Sequence, residues 1–169
     1  MTAHQHPRLV PDKRILSVLV LNRPGVLARI ASLFARRDYS IHSLAVAPGE
    51  RDGLSRITIV VAVEKSTLEQ MVKQLFKLID VVRVSEIDPH TSTTQELLLV
   101  AVRSKVDLRG QVLDLVKIFE GKVVSLVGDS LLISLTTSSS RIDDFLELLD
   151  SFEVLQVQRT GLIGLSAPQ

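Results

Sequence analysis

The sequence predicts an α+β fold of two consecutive ferredoxin-like βαββαβ units, each a four-stranded antiparallel sheet with two helices on one face. Three observations carry that expectation. Apolar residues alternate with period two in some segments and recur at i, i+3 and i+4 in others, in the order strand, helix, strand, strand, helix, strand. The order repeats after a polar stretch, Asp88-Pro89-His90-Thr91-Ser92-Thr93-Thr94, which contains a helix breaker and almost nothing apolar. Right-handed crossovers then place both helices of a unit on the same side of its sheet.

In the first unit, Ile15 to Leu21 is apolar on both faces and predicts a central strand. Val26, Leu27, Ile30, Leu33 and Phe34 form a helical stripe, opposite Arg29, Ser32, Arg36 and Arg37. Asp38-Tyr39-Ser40 breaks this pattern, and Ile41 to Ala47 resumes as a strand that turns at Pro48-Gly49-Glu50-Arg51-Asp52-Gly53. The returning strand, Ser55 to Val63, points Ile57, Ile59, Val61 and Val63 inward and Arg56, Thr58, Val60 and Ala62 the other way. Ser66-Thr67-Leu68-Glu69 reads as a capping box, followed by a stripe of Leu68, Met71, Val72, Leu75 and Ile79. Val81 to Ile87 closes the unit.

The second unit opens with a strand from Glu96 to Val102. Val112, Leu115, Val116 and Phe119 give a helical stripe that Gly121 is expected to cap. Lys122 to Val127 and Leu131 to Thr136 flank Gly128-Asp129, a two-residue hairpin turn. Ile142, Phe145, Leu146 and Leu149 define the next helix, and Val154 to Arg159 the last strand. The predicted organisation is a flexible tail over 1–12, a first domain over 13–88, a linker over 89–95 and a second domain over 96–169. Helices on one face leave the other uncovered. Leu16, Val18, Val60 and Ala62 are expected there, so a homodimer formed by sheet extension or face packing is predicted.

Composition narrows the function classes. Twenty basic and 19 acidic residues give a net charge of +1 and are scattered, which argues against a nucleic-acid stripe or a membrane-binding basic patch. The strand from Ser55 to Val63 has no aromatic residue on which a base could stack. With zero cysteines there is no disulfide, thiolate metal site or cysteine nucleophile. His4 and His6 fall in the tail, His42 stands alone on a strand and His90 lies in the linker, so no metal site or nucleophile-base constellation is expected. No apolar run is long enough to span a bilayer and no secretory signal is visible, so the expectation is a cytoplasmic, non-catalytic protein.

One motif remains. Asn22-Arg23-Pro24-Gly25-Val26-Leu27 joins the first strand to the first helix. Pro24 fixes φ near its helical value and lacks an N–H. Gly25 carries no Cβ, so the amides of Gly25, Val26 and Leu27 can approach a small anion, aided by the helix dipole. An ordinary helix start, its amides meeting water and the Asn22 side chain, suits the same spacing, and spacing alone favours it. If the site is functional, its chemistry fits a small α-amino acid: amides for the carboxylate, the Asn22 carboxamide for polar groups and apolar neighbours for an aliphatic side chain.

Asn22-x-Pro24-Gly25-Val26-Leu27 with Arg29-Ile30, and then Leu33-Phe34-x-Arg36-Arg37-x-Tyr39-x-Ile41-x-Ser43-Leu44-x-Val46-Ala47-Pro48, resembles the ACT domain of the regulatory (small) subunits of acetolactate synthase. The similarity continues through Leu54 to Thr58, Gln74 to Val81, Val84-Ser85-Glu86 and Arg159-Thr160-Gly161. This resemblance implies a subunit that performs no chemistry and carries no cofactor. It would bind a catalytic (large) subunit that uses thiamine diphosphate, magnesium and FAD, raise its activity and confer feedback inhibition by valine or another branched-chain amino acid. It further implies an effector held between two ACT domains of a homodimer. Asn22, Pro24, Gly25, Val26 and Leu27 of one chain would face Ser40 and Ile41 of the other. Where the family usually reads Arg-Gly-Tyr-Asn-Ile, this chain has Arg37-Asp38-Tyr39-Ser40-Ile41. Asp38 can take the left-handed conformation that Gly would supply, while the short Ser40 hydroxyl implies a weaker or water-bridged contact. A stand-alone amino-acid sensor or transcriptional regulator is the alternative, and no segment offers the DNA-binding element a regulator would need.

Overall fold

The computed structural model describes residues 13–166; the tail over 1–12, with His4 and His6, and residues 167–169 lie outside them. Contacts divide the chain after Asp88 into two compact units. The first contains β1 (Lys13–Leu21), α1 (Val26–Ala35), β2 (Ile41–Pro48), β3 (Leu54–Ala62), α2 (Lys65–Leu75) and β4 (Val81–Ile87). Its antiparallel sheet has the order β2-β3-β1-β4. The second contains β5 (Ser92–Arg103), α3 (Arg109–Ile118), β6 (Lys122–Val127), β7 (Ser130–Thr137), α4 (Ser139–Leu149), β8 (Glu153–Arg159) and β9 (Ile163–Ser166). Its sheet repeats the topology as β6-β7-β5-β8, and β9 adds to β5 away from that path. None of the described helices is long and apolar enough to cross a membrane.

Each unit builds one core between its helices and one sheet face. In the first, Leu16, Val18 and Val20 of β1 and Ile57, Ile59 and Val61 of β3 meet Val26, Ile30 and Phe34 of α1 and Leu68, Met71 and Leu75 of α2. Leu16 and Val18 therefore face the helices, contrary to the expectation that placed them on the opposite face. The register explains it: Leu16 pairs with Ile59 and Val18 with Ile57, and paired residues share a face. Val60, paired with Ile15, does lie opposite, as does Ala62, paired with Lys13, but Val60 and Ile15 are buried, so the expected uncovered face is not open at that pair. Because both faces of β1 are apolar, alternation alone left its orientation undetermined.

Four other details differ from the sequence reading. Residues 92–95 of the expected linker belong to β5 and pair with 163–166, so the polar composition of that stretch describes a strand with one exposed face. The expected capping box does not form. The helix starts at Lys65, its N-cap is Glu64 in an extended conformation without a side-chain cap bond, and Leu68 N–H donates to the Glu64 carbonyl at 3.0 Å. Ile79 lies beyond α2 and is 89 % exposed. The left-handed residue after α3 is Glu120, φ 59°, rather than Gly121. Glu120 N–H bonds the Lys117 carbonyl at 3.0 Å and Gly121 N–H the Val116 carbonyl at 2.8 Å, the two bonds of a Schellman ending. Gly121 serves a close approach instead, since a Cβ there would lie 3.3 Å from the Ser134 carbonyl oxygen.

Candidate site at the first strand-to-helix junction

The junction hangs between two other segments of the first unit. Leu21 N–H donates to the Asp80 carbonyl at 2.8 Å and Asn22 N–H to the Gly53 carbonyl at 2.7 Å. Val26 N–H then donates back to the Arg23 carbonyl at 3.3 Å, and Gly25 has φ 83° and ψ −2°. Pro at the second position, a left-handed Gly at the third and a bond from fourth to first make Arg23-Pro24-Gly25-Val26 a type II turn. Pro24 thus sits in a turn before the helix, and Gly25 is needed for its positive φ as well as for its missing Cβ.

This turn changes which amides are open. Val26 N–H is engaged and its side chain is buried, so Val26 contributes to the core rather than presenting a donor. The N–H groups of Gly25, Leu27 and Ala28 have no acceptor among the described residues. The Asn22 side chain does not cap the helix either and is exposed, as are Pro24, Gly25 and Leu27. Three donors without an acceptor among the described residues thus stand at the positive end of a 10-residue helix, an arrangement that suits an anion.

Sequence reasoning missed the charged support of this element. Asp80, 3 % exposed, accepts a hydrogen bond from Arg29 Nη2, and Arg23 Nη1 lies 3.7 Å from its other carboxylate oxygen. A buried carboxylate is costly unless paired, and here two arginines answer one aspartate, leaving the junction net positive. Arg29 also flanks the turn, its Nη1 being 3.2 Å from where a Cβ on Gly25 would stand. The available signal was an aspartate inserted between Ile79 and Val81 in an otherwise apolar approach to β4.

Ser40 and Ile41 lie at the other end of α1. Asp38 takes φ 56°, Tyr39 N–H bonds the Phe34 carbonyl at 3.0 Å, and the Tyr39 ring stands edge-on to Phe34 with centroids 6.0 Å apart. This ending leaves Ser40 exposed and Ile41 packed on the core margin. A helix of 10 residues is about 15 Å long, so the junction and Ser40 of one chain are too far apart for one amino acid to touch both. Within a chain they stand at opposite ends of α1.

Comparison with known proteins gives this geometry a family. Residues 16–83 match the family model described as the acetolactate synthase small-subunit-like ACT domain, and residues 95–168 match that of the small subunit of acetolactate synthase. The acetolactate synthase small subunit of Mycolicibacterium smegmatis is 42 % identical over 151 residues, covering 89 % of each chain. A probable small subunit from Archaeoglobus fulgidus is 40 % identical over 153 residues, covering 90 % of this chain and 96 % of its own. The crystal structure of the Thermotoga maritima small subunit superposes with a TM-score of 0.88 at 36 % identity, covering 94 % of this chain and 99 % of that one. The two βαββαβ units, the open-amide junction and these matches place the chain in the acetolactate synthase small-subunit family, with its ACT domain in the first unit.

Proposed function

We propose that this chain is the regulatory subunit of an acetolactate synthase: it binds the catalytic subunit, raises its activity and makes it sensitive to valine. Thiamine diphosphate, magnesium and FAD would belong to the catalytic subunit, where pyruvate is joined to a second 2-oxoacid. The carrying observation is the set of open amides at Gly25, Leu27 and Ala28 beside Arg29. An effector carboxylate fits those donors, and the exposed Leu27 and the Asn22 carboxamide flank it. Ser40 and Ile41 of a second copy would complete the pocket, which makes the homodimer part of the site. Burying an isopropyl group contributes about 1.5–3 kcal/mol, while a difference of one methylene between effectors is worth only about 1–3 kcal/mol.

Regulation then requires unequal binding. The effector must favour one arrangement of the ACT pair over another, and the catalytic subunit must read that difference. The test combines co-purification with calorimetry. The wild-type chain is expected to co-purify with a thiamine-dependent large subunit and to bind valine. Gly25→Asp, which sets a carboxylate against the effector's own, is expected to lose valine binding and feedback inhibition. Unchanged valine affinity in Gly25→Asp overturns the site. Absence of the large subunit favours a stand-alone amino-acid sensor instead.

A further inference from the structure

The outer surface of α1 carries a second feature that effector binding does not use. An open groove of about 670 Å³ is lined by Ala28, Arg29, Ser32 and Leu33 of the helix, by Arg36 and Arg37 just after it and by Leu78. Its charges are unbalanced. Between Asn22 and Tyr39 the sequence holds arginines 23, 29, 36 and 37 and only Asp38 as an acid. Asp80 answers Arg29 and Arg23, whereas the exposed Arg36 and Arg37 make no ion pair or side-chain hydrogen bond among the described residues.

The lining is also partly apolar. Leu33 and Leu78 line it, and on either side of Leu78 in the chain Phe76 is 53 % and Ile79 89 % exposed. Aliphatic side chains sharing one groove with guanidinium groups that have no ion pair among the described residues are the composition of a protein interface rather than of a solvated helix face. Ala28 to Ala35 spans about 10 Å of helix and Arg36 and Arg37 extend the lining into the turn beyond it, so the groove is as long as at least about three residues of extended chain and too long for a single carboxylate or phosphate.

We infer that this groove seats an acidic, aliphatic-bearing peptide segment of the catalytic subunit, its carboxylates pairing with Arg36 and Arg37 and an apolar side chain lying on Leu33 and Leu78. The inference rests on the regulatory-subunit reading and names the surface through which that subunit is held. Carboxylates can engage guanidinium groups bidentately, which gives such a contact orientation as well as attraction. The groove begins at Ala28, whose amide is one of the open donors. The partner would therefore sit against the same helix whose first turn meets the effector.

The experiment uses the full chain and the purified catalytic subunit. Arg36→Glu with Arg37→Glu is expected to weaken the complex at least about tenfold, with valine binding and thermal midpoint of the isolated chain unchanged. Added salt should weaken the wild-type complex and have little effect on the variant. A double variant that binds within a factor of two of wild type overturns the groove alone. Inorganic tripolyphosphate displacing the catalytic subunit no better than chloride at equal ionic strength supports a peptide occupant, and selective displacement by it points to a phosphate site and overturns the proposal. A wild-type chain that does not bind the catalytic subunit at all overturns both this inference and the reading beneath it.

Discussion

Gly25 carries two demands that no other residue type meets together. Its φ of 83° puts a side chain at the left-handed penalty, and its bare Cα keeps the neighbouring amides open. Sterics alone would be forgiving, because the atom a Cβ meets is the mobile end of the Arg29 side chain. Gly25→Ala is therefore expected to destabilise the first unit by about 1–2 kcal/mol from backbone strain, and Gly25→Asn by less, since Asn enters the left-handed region more readily. Urea denaturation of the wild type and the two variants checks this ordering. Equal stability of the wild type and Gly25→Ala would mean the turn relaxes without loss. The residues of the junction were legible in the sequence because Pro-Gly before an apolar period marks a strand-to-helix turn. The identity of its free donors was not. The Val26 bond to Arg23 depends on the turn type, and the Asp80 support comes from a residue more than 50 positions away in the chain.

At the scale of elements, the second unit is tied by a buried acid. Glu96, at the point where β5 enters the sheet, accepts from Arg159 Nε at 2.8 Å and Nη2 at 2.9 Å and from Ser139 Oγ at 2.6 Å. Arg159 also reaches Asp143 at 2.6 Å, so β5, β8 and α4 meet at one charge network. The Arg159 hydrogen bonds hold the Glu96 carboxyl below its ordinary value of 4.5, outweighing the opposing effect of burial. A lowered folded pKa means that stability is present in full above the ordinary carboxylate range and is lost as pH falls through the lowered value. Glu96→Gln is expected to cost about 2–3 kcal/mol at pH 7, with the difference from wild type shrinking below about pH 4. A pH-independent difference would assign the loss to packing rather than charge. The strand and helix order was readable here from periodicity, but the extension of β5 back to Ser92 and the presence of β9 were not. Ile163 to Ser166 gains strand form only from its partner 92–95, and two short polar or mixed segments carry no local signal of pairing across about 70 residues.

The whole molecule is two cores of the same design. The apolar clusters of the two units share no residue: one is centred on Phe34, Leu68 and Met71, the other on Phe119, Phe145 and Leu149. Function divides the same way in the reading advanced above, with effector and partner surfaces on the first unit and a charge-tied scaffold in the second. Two clusters without a shared residue predict that a core lesion in one unit stays local, so that one global unfolding free energy describes the chain poorly. Phe145 is fully buried and packs on Phe119 at 5.1 Å between ring centroids. Phe145→Ala removes the largest fully buried side chain of that cluster and is expected to cost about 3–5 kcal/mol. Hydrogen exchange should show this as faster opening at Leu98, Val100 and Ile133, with protection at Leu16, Val18 and Ile59 kept within a factor of about three. Uniform acceleration across both sets would show that the units open as one cooperative body.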